Sequence, residues 1–190
     1  MSLILDSLNG HIAAVKQVET LQSSIIAVAD YLIDAFQAGN KVLLMGNGGS
    51  AADAQHIAAE LVGRYNRDRK ALPALALTTD TSILTALGND FGAASIFTRQ
   101  IEAFARSGDC IFAISTSGNS ANVIEGVQAA REIGCHTFGL LGNDGGRLKG
   151  MTDIPIVVAS SETPRIQECH ILIGHIICDL VERGMAENER

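Results

Sequence analysis

Tryptophan is absent from this sequence, tyrosine occurs twice and aromatic residues make up 4% of it, so a core has to be packed mainly from Ala, Val, Ile and Leu. Basic charge is also short. Lys and Arg number 14 against 21 Asp and Glu, for a formal net charge of −7. That balance excludes a generic nucleic-acid binder, whose affinity rests on clustered cations, and leaves any acidic ligand to local backbone N–H and hydroxyl groups. Cys110, Cys135, Cys169 and Cys178 show no C-x-x-C spacing, and three of them lie in apolar runs. They read as buried free thiols, in keeping with a reducing cytosol. No run approaches the roughly 20 apolar residues of a membrane span, and Met1-Ser2-Leu3-Ile4-Leu5 has neither a basic n-region nor a cleavage signature. A soluble cytoplasmic protein with no nucleic-acid or membrane partner is expected.

What is present fits one domain of 190 residues with 47% hydrophobic content. Leu5, Leu8, Ile12 and Val15 recur at helical spacing, as do Ile25, Val28, Leu32 and Phe36 in a second helix that Ala38-Gly39-Asn40 ends. Residues 1–38 therefore form a helical segment ahead of the first strand, where at least one helix is free to pack on another subunit. From 41 to 190 short apolar runs alternate with helices. The strands are Lys41–Met45, Ala74–Leu77, Cys110–Ile114, Thr137–Leu141 and Ile154–Val158, with Pro155 marking the last as an edge. Helices follow at Ala51–Leu61, from about Ile83, at Ile96–Arg106 and at Ala121–Ile133, which Gly134 stops. Thr163 reads as N-cap of a long last helix with Pro164 in its first turn. Such alternation predicts an α/β fold, a three-layer α/β/α sandwich on a five-stranded parallel sheet, with ligands at the carboxyl ends of the strands.

Two strand-to-helix loops have the makings of phosphate holders. Ser115-Thr116-Ser117-Gly118-Asn119-Ser120 puts four hydroxyls and a glycine before a helix N-terminus, where N–H and O–H donors converge on an anion. Gly46-Asn47-Gly48-Gly49-Ser50-Ala51 also matches the dinucleotide pattern G-x-G-x-x-A. That pattern expects an acid about 20 residues on, and Asp80 comes later, among Thr and Ser. With no Walker lysine either, a small sugar phosphate is favoured over a nucleotide. His56 and Glu60, spaced i and i+4, share one helix face and suit either metal ligation or base chemistry. Asp80, Asp90, His170 and His175 are further acid–base candidates, and Gly63 to Lys70 reads as an exposed basic loop.

Taken together, Gly46–Ser50, His56, Glu60-Leu61, Gly63-Arg64-Tyr65, Gly88–Gly92, Ser115–Ser120 with Ala121–Ile124, and Arg165-Ile166-Gln167-Glu168 with His175 resemble the sedoheptulose 7-phosphate isomerase (phosphoheptose isomerase) family of SIS domains. The resemblance spans the chain from about residue 30. It implies a flavodoxin-like SIS fold and a homotetrameric cytoplasmic enzyme that makes D-glycero-D-manno-heptose 7-phosphate for bacterial surface polysaccharide. Glu60 would be the base between C1 and C2, and His175 its acid–base partner. Ser115, Thr116, Ser117 and Ser120 would hold the phosphate, with Asn47, Gly48, Gly49, Ser50, Asn89, Asp90 and Gln167 around the sugar. His56, Glu60, Gln167 and His175 would be zinc ligands. The chain departs from the family's pattern at Ala59, where a second acid is common, and at Ala51 and Ala52, which replace more polar or thiol residues. A non-catalytic SIS module, associating with a replication initiator or sensing a sugar phosphate, is the alternative, but it has no need of both Glu60 and His175.

Overall fold

The computed structural model describes residues 2–187. Helices α1 (Leu3–Val18) and α2 (Gln22–Gln37) precede β1 (Val42–Gly46), α3 (Gly49–Val62) and β2 (Ala74–Ala76). There follow α4 (Thr81–Asp90), α5 (Thr98–Phe104), β3 (Cys110–Ser115), α6 (Ala121–Ile133), β4 (His136–Gly142), β5 (Ile154–Val158) and α7 (Thr163–Glu187). The five strands are all parallel, in the order β2-β1-β3-β4-β5. Pro155 therefore does lie on an edge strand, facing Gly139, where its missing N–H costs no second ladder.

Strands β1 and β3 are buried along their whole length because alternate side chains serve two cores. Val42, Leu44, Phe112, Ile114 and Leu140 pack with α2, α3 and α7. Leu43, Met45, Ile111 and Ala113 pack with α5 and α6 through Phe97, Ile101, Val123 and Val127. All four cysteines are buried and free. Among the described residues no helix is long and apolar enough to cross a membrane.

Several boundaries differ from the sequence reading. Helix α3 already includes Gly49 and Ser50, so the turn after β1 is only Asn47 and Gly48. The helix expected from Ile96 to Arg106 is shorter at both ends, α5 at Thr98–Phe104, and a 3-10 turn at Ala93–Ser95 precedes it. Thr163 lies inside α7, and Ile166 N–H donates to the Glu162 carbonyl at 3.0 Å, so the cap falls one residue earlier. Asp80, the late candidate for a ribose partner, caps α4 by accepting Ile83 N–H at 2.9 Å. The basic stretch after α3 is not uniformly solvated, because the Arg69 side chain is 3% exposed.

Candidate active site

In the strand order 2-1-3-4-5 the chain reverses direction of growth between β1 and β3, and such a switch point is where parallel sheets bind ligands. Both glycine and serine loops leave the sheet here. They are tied together by a reciprocal amide pair: Asn47 Nδ2 donates to Asn122 Oδ1 at 2.9 Å, and Asn122 Nδ2 to Asn47 Oδ1 at 2.8 Å. Asn122 sits in the first turn of α6 and fixes where Asn47 points.

Within the serine loop, Ser115 Oγ lies 3.1 Å from Ser120 Oγ and 3.5 Å from Ser117 Oγ, so three hydroxyls converge in front of the thirteen-residue helix α6. Gly118 and Asn119 N–H groups donate to Ser115 Oγ and Ser117 Oγ at 3.2 and 3.1 Å. The neighbouring turn after β4 braces the loop, with Asn143 Nδ2 donating to the Thr116 carbonyl at 2.9 Å and Leu148 N–H to that of Gly118 at 3.0 Å.

The second cluster spans α3 and α7. His56 Nε2 is 3.2 Å from Glu60 Oε1 and 3.1 Å from His175 Nε2, and one ligand atom from each of the three residues lies within 4.8 Å of the others. Gly174 helps here: a Cβ there would stand 2.7 Å from Ile57 Cδ1, so a larger residue would push Ile57 aside where α7 meets α3. His175 is gripped on two sides, edge-on by His56 with centroids 4.9 Å apart and face-on by Tyr65 at 5.4 Å.

Gln167, two turns earlier on α7, seats its amide on Gly49, whose missing Cβ leaves the room. Its amide therefore meets the glycine turn, and His56, Glu60 and His175 gather further along the same two helices. Gly48 and Gly49 are exposed at that turn, and Ser50 is buried. Asn89 and Asp90 sit exposed at the end of α4, where Asn89 Nδ2 donates to Asp90 Oδ1 at 2.7 Å; neither is hydrogen-bonded to the histidine group. His170 is fully buried away from it, and burial lowers its pKa to about 4 against a smaller upward pull from the Leu141 carbonyl.

Sequence reasoning gave Asn122 no role beyond its place in the motif after the serine loop, and passed over Gly174 and Asp53. Asp53 lies one turn before His56 on α3, and burial raises its pKa to about 6 while the His56 charge pulls it down. Its position one helical turn from His56 was the available signal.

The cluster's donor set is two imidazoles and a carboxylate, which suits zinc. Two ligands held tetrahedrally at roughly 2.0–2.1 Å stand about 3.3 Å apart, close to the observed 3.1 and 3.2 Å. The residues present fit such an ion.

Comparison with known proteins supplies the family. The SIS domain sequence profile matches residues 8–142. A phosphoheptose isomerase of Trichlorobacter lovleyi is 52% identical over 185 residues, covering 97% of this chain and 94% of that protein. One of Citrifermentans bemidjiense is 60% identical over 165 residues, covering 87% and 86%. The solved structure of a phosphoheptose isomerase from Neisseria gonorrhoeae superposes with a TM-score of 0.90 at 43% identity, over 95% of this chain and 97% of that one.

Proposed function

This chain belongs to the SIS domain family and within it to the phosphoheptose isomerases, and on that premise we propose that it converts sedoheptulose 7-phosphate to D-glycero-D-manno-heptose 7-phosphate through Glu60 and His175. The observation that carries the reading is the meeting of a carboxylate and an imidazole from two different helices, in a chain whose glycine turn is tied by Asn47 and Asn122 to a hydroxyl-lined loop. A sensor or docking module needs the loop alone.

The Glu60 carboxylate takes a proton from C1 of the ketose, and the C–H electrons form the C1–C2 double bond of an enediolate. His175 moves the hydroxyl proton, donating to O2 and accepting from O1, and Glu60 returns its proton to C2. Ser115, Thr116, Ser117, Ser120 and the α6 N-terminus hold the phosphate, so that remote binding fixes the reacting carbons over Glu60. Asn47, Gly48, Gly49, Ser50, Asn89, Asp90 and Gln167 are assigned to the sugar. His56, Glu60, His175 and Gln167 would hold zinc, which when bound supplies Lewis-acid polarisation of the substrate oxygens.

We assign the working form as a cytoplasmic homotetramer, with residues 1–38 as the oligomerisation segment. Helix α2 spends its stripe on the core through Ile25, Val28, Leu32 and Phe36. Helix α1 does not. Leu5, Leu8 and Ile12 remain 54%, 52% and 50% exposed, an apolar face that supports a subunit contact.

The test is product formation in D2O. Deuterium is expected at C2 of the heptose 7-phosphate and in recovered ketose at C1, wherever the proton on Glu60 exchanges with solvent, and labelling at an undiminished rate in Glu60→Gln would contradict proton transfer through Glu60.

A further inference from the structure

Helix α7 carries a buried acid that the reaction above does not use. Glu182, seven residues beyond His175, is fully buried and accepts three consecutive backbone N–H groups. Tyr65 N–H meets Oε1 at 2.6 Å, while Asn66 and Arg67 meet Oε2 at 2.8 and 3.0 Å. Arg69 Nε stands 3.4 Å from Oε1, and both side chains are shut off from solvent. The same guanidinium donates to the carbonyls of Glu60 at 2.8 Å and Leu61 at 2.7 Å, capping the end of α3. Burial pushes the Glu182 carboxyl up, but the N–H groups of Asn66, Tyr65 and Arg67 and the Arg69 charge outweigh it and hold it below the usual range. The carboxylate is therefore an anchor for residues 65–67.

That anchor reaches the active site through one ring. Tyr65 lies stacked on His175 with centroids 5.4 Å apart and planes 27° from parallel. The last torsion of a histidine is broad and nearly two-fold, so the imidazole needs contacts on its faces and edges to keep Nε2 aimed at one place. His56 supplies the edge and Tyr65 the face.

We propose that Glu182, with Arg69, is a positioning residue for the isomerase reaction: it fixes the backbone of residues 65–67 so that the Tyr65 ring holds the His175 imidazole towards Glu60. This rests on the reading of His175 as the acid–base partner. A glutamine at 182 keeps the size but offers one acceptor oxygen in place of two and turns an N–H2 towards N–H donors and a guanidinium, so the loop loosens.

The experiment follows the His175 ring protons by NMR, assigned through their loss in His175→Gln, alongside kcat, KM and Tm. Stacking under Tyr65 shifts those protons upfield in the unsubstituted protein. Tyr65→Leu and Glu182→Gln are expected to return them towards the free-histidine position and to lower kcat on the order of tenfold. KM should stay within about twofold, because phosphate binding is not involved. Tyr65→Phe should recover both the ring shift and most of the rate. If Glu182→Gln does not fold, Glu182→Asp, which keeps the charge but withdraws it from the N–H groups, is read in the same way. A clamp that merely ties the loop to α7 would lower Tm while leaving the ring shift and kcat unmoved, and that result overturns the proposal. An unsubstituted protein inactive on heptose 7-phosphates would strike the isomerase reading instead, and the ring-shift response would still decide whether Glu182 governs His175.

Discussion

His56 and His175, 119 residues apart in the chain, bring their Nε2 atoms to 3.1 Å of one another, with Glu60 Oε1 3.2 Å from the first. Two imidazole nitrogens at that distance leave room for a single hydrogen between them, and a bound cation would take its place. Purified protein is accordingly expected to hold about one zinc ion per chain by elemental analysis. His56→Ala should hold far less, and equal content in the two proteins would remove this cluster as the metal's seat.

Gly174 lies where α7 meets α3, and an added Cβ there meets Ile57. In Gly174→Ala the gain in helix propensity, about 1 kcal/mol, opposes an overpacking cost of about 1–3 kcal/mol. Stability should therefore change little while the histidines are pried apart. We expect a Tm near that of the parent with kcat lowered several-fold. An unchanged kcat would show that the close helix approach does not matter to the reaction.

The serine loop binds a group that does not react. Ser117→Ala and Ser120→Ala each remove a hydroxyl from the converging set, and should raise KM more than they lower kcat. An unchanged KM for the phosphorylated sugar would withdraw the assignment of phosphate to this loop.

His170 gives the fold a pH dependence of known sign. Its folded pKa, about 4, lies below the ordinary 6.5, so the unfolded chain binds the proton more readily. The stability this neutral ring contributes is present above about pH 6.5 and is lost as pH falls towards 4, on the order of 3 kcal/mol in all. Urea unfolding at pH 7 and at pH 4.5 should show the loss, with a shallower dependence in His170→Leu. Equal slopes in the two proteins would contradict it.

Much of the architecture could be read from the chain. Five apolar runs gave five parallel strands because a sheet covered on both faces needs no polar alternation, and Pro155 marked the edge. His56 and Glu60 were visible as a pair because one helix turn links them. Their meeting with His175 followed only from the family resemblance, because spacing cannot show how closely α3 and α7 pack, and a residue at that contact is a glycine inside an apolar run. Glu182 was hidden for a similar reason: a glutamate near the end of a helix looks solvated until the loop that covers it is in place. Arg69 was masked by the basic residues around it, although only its side chain among them caps α3. Asp80 stood among the acid–base candidates because an aspartate that caps a helix and one that moves a proton look the same in one sequence.

The central claim is that Glu60 carries the proton, and Glu60→Gln tests it most directly, since the amide keeps the shape but cannot act as the base. Formation of heptose 7-phosphate from sedoheptulose 7-phosphate should fall by at least the roughly 10²–10⁴-fold typical of general acid–base catalysis. The affinity for the phosphorylated sugar, measured by calorimetry, should stay near the parent's. Turnover in Glu60→Gln equal to that of the unsubstituted protein would contradict the account.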